Sequence, residues 1–180
     1  MLIEVPPPFL PCEYRCKIAT EQWELSSYQR LRREVFCDEQ RMFEGSDEDE
    51  HDADALPVVA VSQVMGMADR VVGTVRIDQR TAGVWHGSRL AVHPDFRGVG
   101  GLGASLIRKA VSTAHGFKCS RFLAMVQSQN VLFFRRLHWK SIEEVSLLGR
   151  PHHLMEANLS AYPPCRHEQP IDILTARRAS

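Results

Sequence analysis

Two hydrophobic periods alternate along this chain, and the changes between them mark out its elements. Residues 14–19 (YRCKIA) read as a short strand; Thr20 then stands as an N-cap, and Trp23, Tyr28, Leu31 and Val35 recur at helical spacing. Segments 58–64, 71–78 and 84–92 are rich in β-branched residues and are separated by the turn-like clusters 66–70 and 80–83, the pattern of an antiparallel meander. The period then becomes helical: Leu102, Leu106, Ile107 and Ala110 share one face, and His115 with Gly116 suits a helix stop. Segment 122–126 reads as a further strand, 130–137 as a short helix, and 141–147 and 153–159 as closing strands. The order is βα, then βββ, then αβαββ.

The two ends lack any period. Residues 1–13, with Pro6, Pro7, Pro8 and Pro11, and residues 160–180 mix prolines with polar residues, so they are expected as an N-terminal arm and a C-terminal tail or linker around one domain at 14–159. A chain of 180 residues suits one hydrophobic core and leaves little room for a second.

Charge and cysteine content narrow the function classes. Lys+Arg and Asp+Glu are balanced at 22 each, so there is no basic excess to suggest a nucleic-acid partner, and any binding charge must be local. The densest local charge is the acidic run 45–54 (GSDEDEHDAD), which has no hydrophobic face and is expected as a solvated loop. It lacks the glycine and terminal glutamate of an EF-hand, so calcium is not expected. The five cysteines form an odd set without C-x-x-C spacing; Cys12 and Cys16 are not followed by a second pair, and neither a disulfide framework nor a metal site is expected. A reducing, cytoplasmic setting is the simplest reading. No stretch approaches the ~20 apolar residues of a bilayer-spanning helix, and the early prolines interrupt any leader, so no membrane partner is expected.

The segment richest in chemistry is Leu90-Ala91-Val92-His93-Pro94-Asp95-Phe96-Arg97-Gly98-Val99-Gly100-Gly101-Leu102-Gly103, a strand passing through a glycine-rich turn directly into a helix. The first amides of a helix have no intrahelical partner and sit at the positive end of its dipole, so they can hold a phosphate or diphosphate. Glycines let the backbone approach such an anion closely, and Arg97 adds a cation. The nucleotide-triphosphate loop is excluded, because Gly103 is followed by Ala104 and Ser105 rather than Lys and Ser/Thr. Gly98 to Gly103 does satisfy G-x-G-x-x-G. A meander precedes it, however, and no acidic residue follows about twenty positions on, which argues against a dinucleotide fold.

This loop resembles the acyl-CoA-binding motif of the GNAT N-acetyltransferase superfamily, R/Q-x-x-G-x-G/A after the fourth strand. Three further segments are similar to the same family in the same order. They are Arg33-Glu34-Val35-Phe36-Cys37-Asp38-Glu39-Gln40 in the first helical region, Val126-Gln127 with Phe133-Phe134-Arg135-Arg136-Leu137-His138-Trp139 at the fourth helix, and Pro151-His152-His153-Leu154-Met155 at the last strand. The resemblance spans about residues 14–159 and extends to a subfamily whose genes sit beside a nitrilase. It implies a GNAT fold, α/β of the α+β type, with a mixed central sheet of about six to seven strands and about four helices.

The resemblance also implies roles. Acetyl-CoA or another acyl-CoA is the expected co-substrate and a small-molecule amine the expected acceptor, with N-acyl transfer as the reaction; a homodimer is compatible with the sequence. The strand backbone at Leu90, Ala91 and Val92 is expected along the pantetheine, and an amide there would polarise the thioester carbonyl. The diphosphate is expected at Arg97, Gly98, Val99, Gly100, Gly101, Leu102 and Gly103. Matching Arg97 to the motif puts Leu102 in a Gly/Ala place, whereas matching the helix fits Gly101 and Gly103 and moves Arg97 outward by one. Gln127 and Asn130 are candidate ligand contacts where the sheet splays. Phe134 occupies the position that often bears a tyrosine acid, and a phenyl ring cannot donate a proton. A thiol of pKa near ~8.5 can leave unaided at a modest disadvantage.

His86 on the fourth strand is the candidate base, because imidazole titrates near neutrality, and His138 the candidate replacement acid. Asp47, Glu48, Asp49 and Asp52 could draw in a cationic amine, since the family places this loop over the acceptor side. Two rivals stay open: an acyl-CoA-binding or regulatory module without turnover, and an enzyme like the acyl-homoserine lactone synthases.

Overall fold

The computed structural model describes residues 9–165 and 171–176; much of the expected N-terminal arm (1–8) and parts of the tail lie outside the described residues. Among the described residues eight strands form one sheet: β1 (Glu13–Ile18), β2 (Leu56–Val64), β3 (Met67–Thr81), β4 (Val84–Val92), β5 (Arg121–Gln127), β6 (Trp139–Leu147), β7 (Arg150–Ala157) and β8 (Ile171–Thr175). Their spatial order is β6-β7-β5-β4-β3-β2-β1-β8. Neighbours are antiparallel except β4 and β5, which pair in parallel. A parallel pair needs a crossover, and α2 (Leu102–Gly116) supplies it. The other α-helices are α1 (Gln22–Arg33) and α3 (Val131–Arg136).

β2 shows why the middle of the sheet is read so clearly in the sequence. Val58 and Ala60 pack into the α2-side core with Ile77, Leu106 and Val111, while Val59 and Val61 pack with Tyr28, Leu31 and Val35 from the α1 region. Both faces are covered, so the strand is a continuous apolar run rather than an alternating one.

Three expectations change. The N-cap of α1 is Glu21 rather than Thr20. The buried Glu24 carboxylate accepts the Thr20 and Glu21 amides at 2.9 and 3.1 Å and the Lys17 ammonium at 2.7 Å, which moves the helix start by one residue.

The described parts of segment 160–180, expected outside the core, are joined to it. Tyr162 is 3% exposed; its hydroxyl accepts from Trp139 Nε1 at 3.0 Å and donates to the Leu137 carbonyl. β8 pairs along β1 from Glu13 to Lys17 and so covers what would be an open sheet edge. It makes the eighth strand.

The acidic run is solvated over most of its length but anchored through three of its carboxylates. Asp47 is 3% exposed, and Asp49, Asp52 and Asp47 are engaged by three arginines, which bears directly on the site.

Candidate functional site

The site begins with a bulge. Ser88 stands opposite Arg76 and Ala91 opposite Thr74, so Arg89 and Leu90 of β4 together face only Val75 of β3. Arg89 takes φ 53°, and the Thr74 hydroxyl donates to its carbonyl at 3.2 Å. An extra residue in one strand bends it away from its neighbour. The parallel pairing of β4 with β5 accordingly runs only from Val84 opposite Arg121 to Gly87 opposite Ala124. Beyond that point the strands part.

Ion pairs fix the bulge. Arg89 Nε donates to Asp47 Oδ2 at 2.9 Å, and its Nη2 donates to the Asp47 carbonyl at 2.7 Å and to Asp49 Oδ2 at 3.1 Å. Arg76 bonds Asp49 at 2.6 Å and Asp52 at 2.7 Å; Arg32 bonds Asp47 at 2.7 Å and Asp52 at 2.5 Å. Burial pushes the Asp49 carboxyl up, but the Arg76 guanidinium more than reverses this and holds it at about 2. Asp52 is likewise lowered: burial opposes, and Arg32 prevails.

The gap between the parted strands opens onto the N-terminus of α2. Gly101 caps that helix at φ 85°, in the left-handed region that a side chain would strain. The first intrahelical bond runs from the Ser105 amide to the Gly101 carbonyl at 2.8 Å, which places the amides of Leu102, Gly103 and Ala104 in the opening turn. Leu102, 1% exposed, anchors this turn in the core, and a Cβ at Gly98 or Gly100 would meet no atom within 4 Å.

The resulting cleft has a volume of about 680 Å³. Leu90, Ala91 and Val92 form one wall, and Gln127, Ser128, Gln129, Asn130, Phe133 and Phe134 the other, with Gly103 between them. The His93 amide bonds β3 through the Val72 carbonyl, so by strand alternation the backbone of Val92 faces the gap. Open strand backbone beside a glycine-lined helix start fits an amide-bearing arm that ends in a diphosphate.

The far end of the cleft is charged. After α1 the chain continues as a π-helix, Glu34–Glu39, a local widening that is frequent at functional sites. It delivers Val35, Glu39 and Gln40 to the cleft. Arg97 binds both Glu39 oxygens, at 2.7 and 2.6 Å, and its Nε donates to the Val92 carbonyl at 3.1 Å. Arg97 therefore lines the cleft already paired, and its hydrogen bonds lower the Glu39 carboxyl. Gln127 Nε2 donates to Gln40 Oε1 at 3.2 Å, and Arg150 Nη2 to the Gln40 carbonyl at 2.7 Å.

Neither candidate histidine joins this set. His86 stands in the paired half of β4, opposite Asp78 of β3 and Leu123 of β5; burial and the neighbouring Arg80 lower its pKa. His138 is exposed, just past the end of α3 at φ 64°, and its amide closes the helix onto the Arg135 carbonyl at 3.1 Å. Its place is that of a helix-ending residue, which is why a glycine is usual there. Phe134 does line the cleft, 7% exposed, with Trp139 edge-on at 5.1 Å. Sequence reasoning missed Arg150 altogether and took Glu39 and Gln40 only as part of a helical motif. Leu148 and Gly149, both at positive φ, form the tight hairpin turn that sets Arg150 at the start of β7.

Among the described residues no helix is long and apolar enough to cross a membrane, and no group of three or more His, Cys, Asp or Glu is placed to hold a metal ion. No curated protein sequence matches the chain. Solved structures share its fold. A putative N-acetyltransferase from Lactobacillus plantarum superposes with TM-score 0.71 at 18% identity, covering 81% of this chain and 98% of that one. An acyl-CoA N-acyltransferase from Pseudomonas aeruginosa gives 0.65 at 22%, over 80% and 97%. Escherichia coli ElaA gives 0.66 at 20%, over 81% and 98%. The acetyltransferase (GNAT) family matches residues 16–139, a span that takes in the bulged strand, the glycine turn and Phe134, and to that family the chain belongs.

Proposed function

We propose that this protein is an N-acyltransferase that moves an acetyl or other short acyl group from acyl-CoA to the amine of a small molecule. The observation that carries the reading is the parting of β4 from β5 beyond Gly87 and Ala124, with the start of α2 at the opening. The coenzyme would lie with its pantetheine along Leu90 to Val92 and its diphosphate over the amides of Gly103 and Ala104, the Leu102 amide being turned to the Val99 carbonyl at 3.5 Å. A neutral amine attacks the thioester carbon, a strand amide stabilises the oxygen as it gains charge, the C–S bond breaks with coenzyme A departing as a thiolate, and the proton shed by the nitrogen passes to solvent. A homodimer, a cytoplasmic setting and membership of the nitrilase-cluster subfamily belong to the same proposal and rest on the sequence pattern.

No tyrosine lines the cleft among the described residues, and this favours one second reading, a module that binds acyl-CoA without turning it over. One experiment separates the two. Acetyl-CoA and its desulfo analogue should both raise the melting temperature, since each binds only the native state. Free thiol should then be released from acetyl-CoA with some member of an amine panel. Gly101→Val, which forces a β-branched residue to positive φ, should abolish both effects while circular dichroism stays native. Binding without thiol release selects the module; binding of neither compound at millimolar concentration removes both readings.

A further inference from the structure

Resting on the acyltransferase reading, we propose that the acceptor is an amino carboxylate, an amine whose own carboxylate is held by Arg150. Among the described residues three charged side chains line the cleft: Arg97, Glu39 and Arg150. The first two neutralise each other, since both oxygens of Glu39 are taken by the Arg97 guanidinium. Arg150 gives one N–H to the Gln40 carbonyl, and among the described residues no carboxylate forms an ion pair with it. The acceptor end of the cleft therefore carries one uncompensated positive charge.

That charge is aimed. The Leu148–Gly149 turn fixes where β7 starts, and the bond to Gln40 holds the guanidinium against the end of the π-helix, with further N–H donors left over. A planar guanidinium with free donors matches a carboxylate bidentately, which a lysine cannot do. The amides of Gln40 and Gln127 lie beside it and are already oriented by bonding to each other.

A polycationic acceptor finds the opposite environment. The nearby acidic run could have supplied an attracting field, but its Asp47, Asp49 and Asp52 face Arg32, Arg76 and Arg89, and its other carboxylates, Glu48, Glu50 and Asp54, do not line the cleft. Glu34 and Asp38 line a neighbouring recess of about 430 Å³, which meets the cleft at the Arg97–Glu39 pair. They leave Arg150 without a counter-charge.

The test compares matched acceptors, each an amino acid and the amine left by removing its carboxylate, with spermidine added as a polycation. Initial rates of thiol release should favour the amino carboxylates by about tenfold or more in kcat/KM, the scale of a charged hydrogen bond. Arg150→Gln should raise their KM about tenfold with little change in kcat, a loss several times larger than any change with the decarboxylated amines. Arg150→Lys should recover part of the loss. Calorimetric titration of the same acceptors into the complex with desulfo-CoA reads the preference without turnover. Tighter binding or faster turnover of spermidine, or an Arg150→Gln variant that treats both classes alike, overturns the assignment. Thiol release from no acceptor, with the carboxylate preference retained in calorimetry, would sink the acyltransferase reading and leave Arg150 as the carboxylate anchor.

Discussion

The ion pairs of segment 45–54 and the ion pair at the cleft use the same chemistry to different ends. In the first, the Arg32 and Arg76 side chains are each 1% exposed; in the second, Arg97 and Glu39 are 45% and 41% exposed. A buried charge cannot lose its partner without being stranded, so the first set is committed to holding β4 in shape. An exposed pair is worth ~0–1 kcal/mol and can exchange partners with solvent or ligand, so the second is the part of the site free to rearrange. Burial decides which carboxylates maintain the site and which can respond to what enters it.

The contrast is broken most severely by Arg76→Ala, which leaves Asp49 and Asp52 facing each other without their shared cation. A loss of about 3–5 kcal/mol is expected in urea denaturation, the range for removing one partner of a buried pair. A loss below about 1 kcal/mol would mean that the network behaves as a surface feature.

Acid should act on the same network by a gentler route. Asp49 titrates at about 2 when folded, against 3.8 for the free group. Its contribution is fully present above the unfolded value and is lost as pH falls from there through the folded one. The urea midpoint should therefore decline over that interval, and Asp49→Asn should flatten the decline while lowering stability at neutral pH. An equally steep decline in the variant would transfer the acid sensitivity to other carboxylates.

The smallest effect sharpens the other side of the comparison. Glu39→Gln should change stability by less than about 1 kcal/mol, because the pair it breaks is exposed. It releases the Arg97 guanidinium, and acetyl-CoA affinity measured by calorimetry should show whether that cation helps or hinders. A stability loss as large as that of Arg76→Ala would place the pair with the structural set.

What was legible in the sequence follows from how local each signal is. The meander and α2 were visible because an apolar run such as Val58 to Val61, or a face such as Leu102, Leu106 and Ala110, is set by nearest neighbours along the chain. The glycine turn was visible because only glycine supplies φ 85° at position 101 cheaply. The acidic run misled because its charge is obvious while its partners are not: Arg89 lies 42 residues from Asp47 and Arg76 lies 27 from Asp49. β8 was missed for a different reason. Five residues beside a proline carry too little period to distinguish a strand from a tail, and pairing with β1 decides the matter. Arg150 needed both the hairpin register and the place of the π-helix end, neither of which is written near it.

The bulge at Arg89 ties the cleft to a distant stretch of chain: its ion pairs span some forty positions, so the shape of β4 there rests on segment 45–54 staying docked. Opening that segment, by thermal fraying or a protease nick, would let β4 relax and would erase the site while leaving every residue that lines it untouched. The accessibility of a stretch that lends no residue to the cleft's lining thus bears on how long the cleft exists.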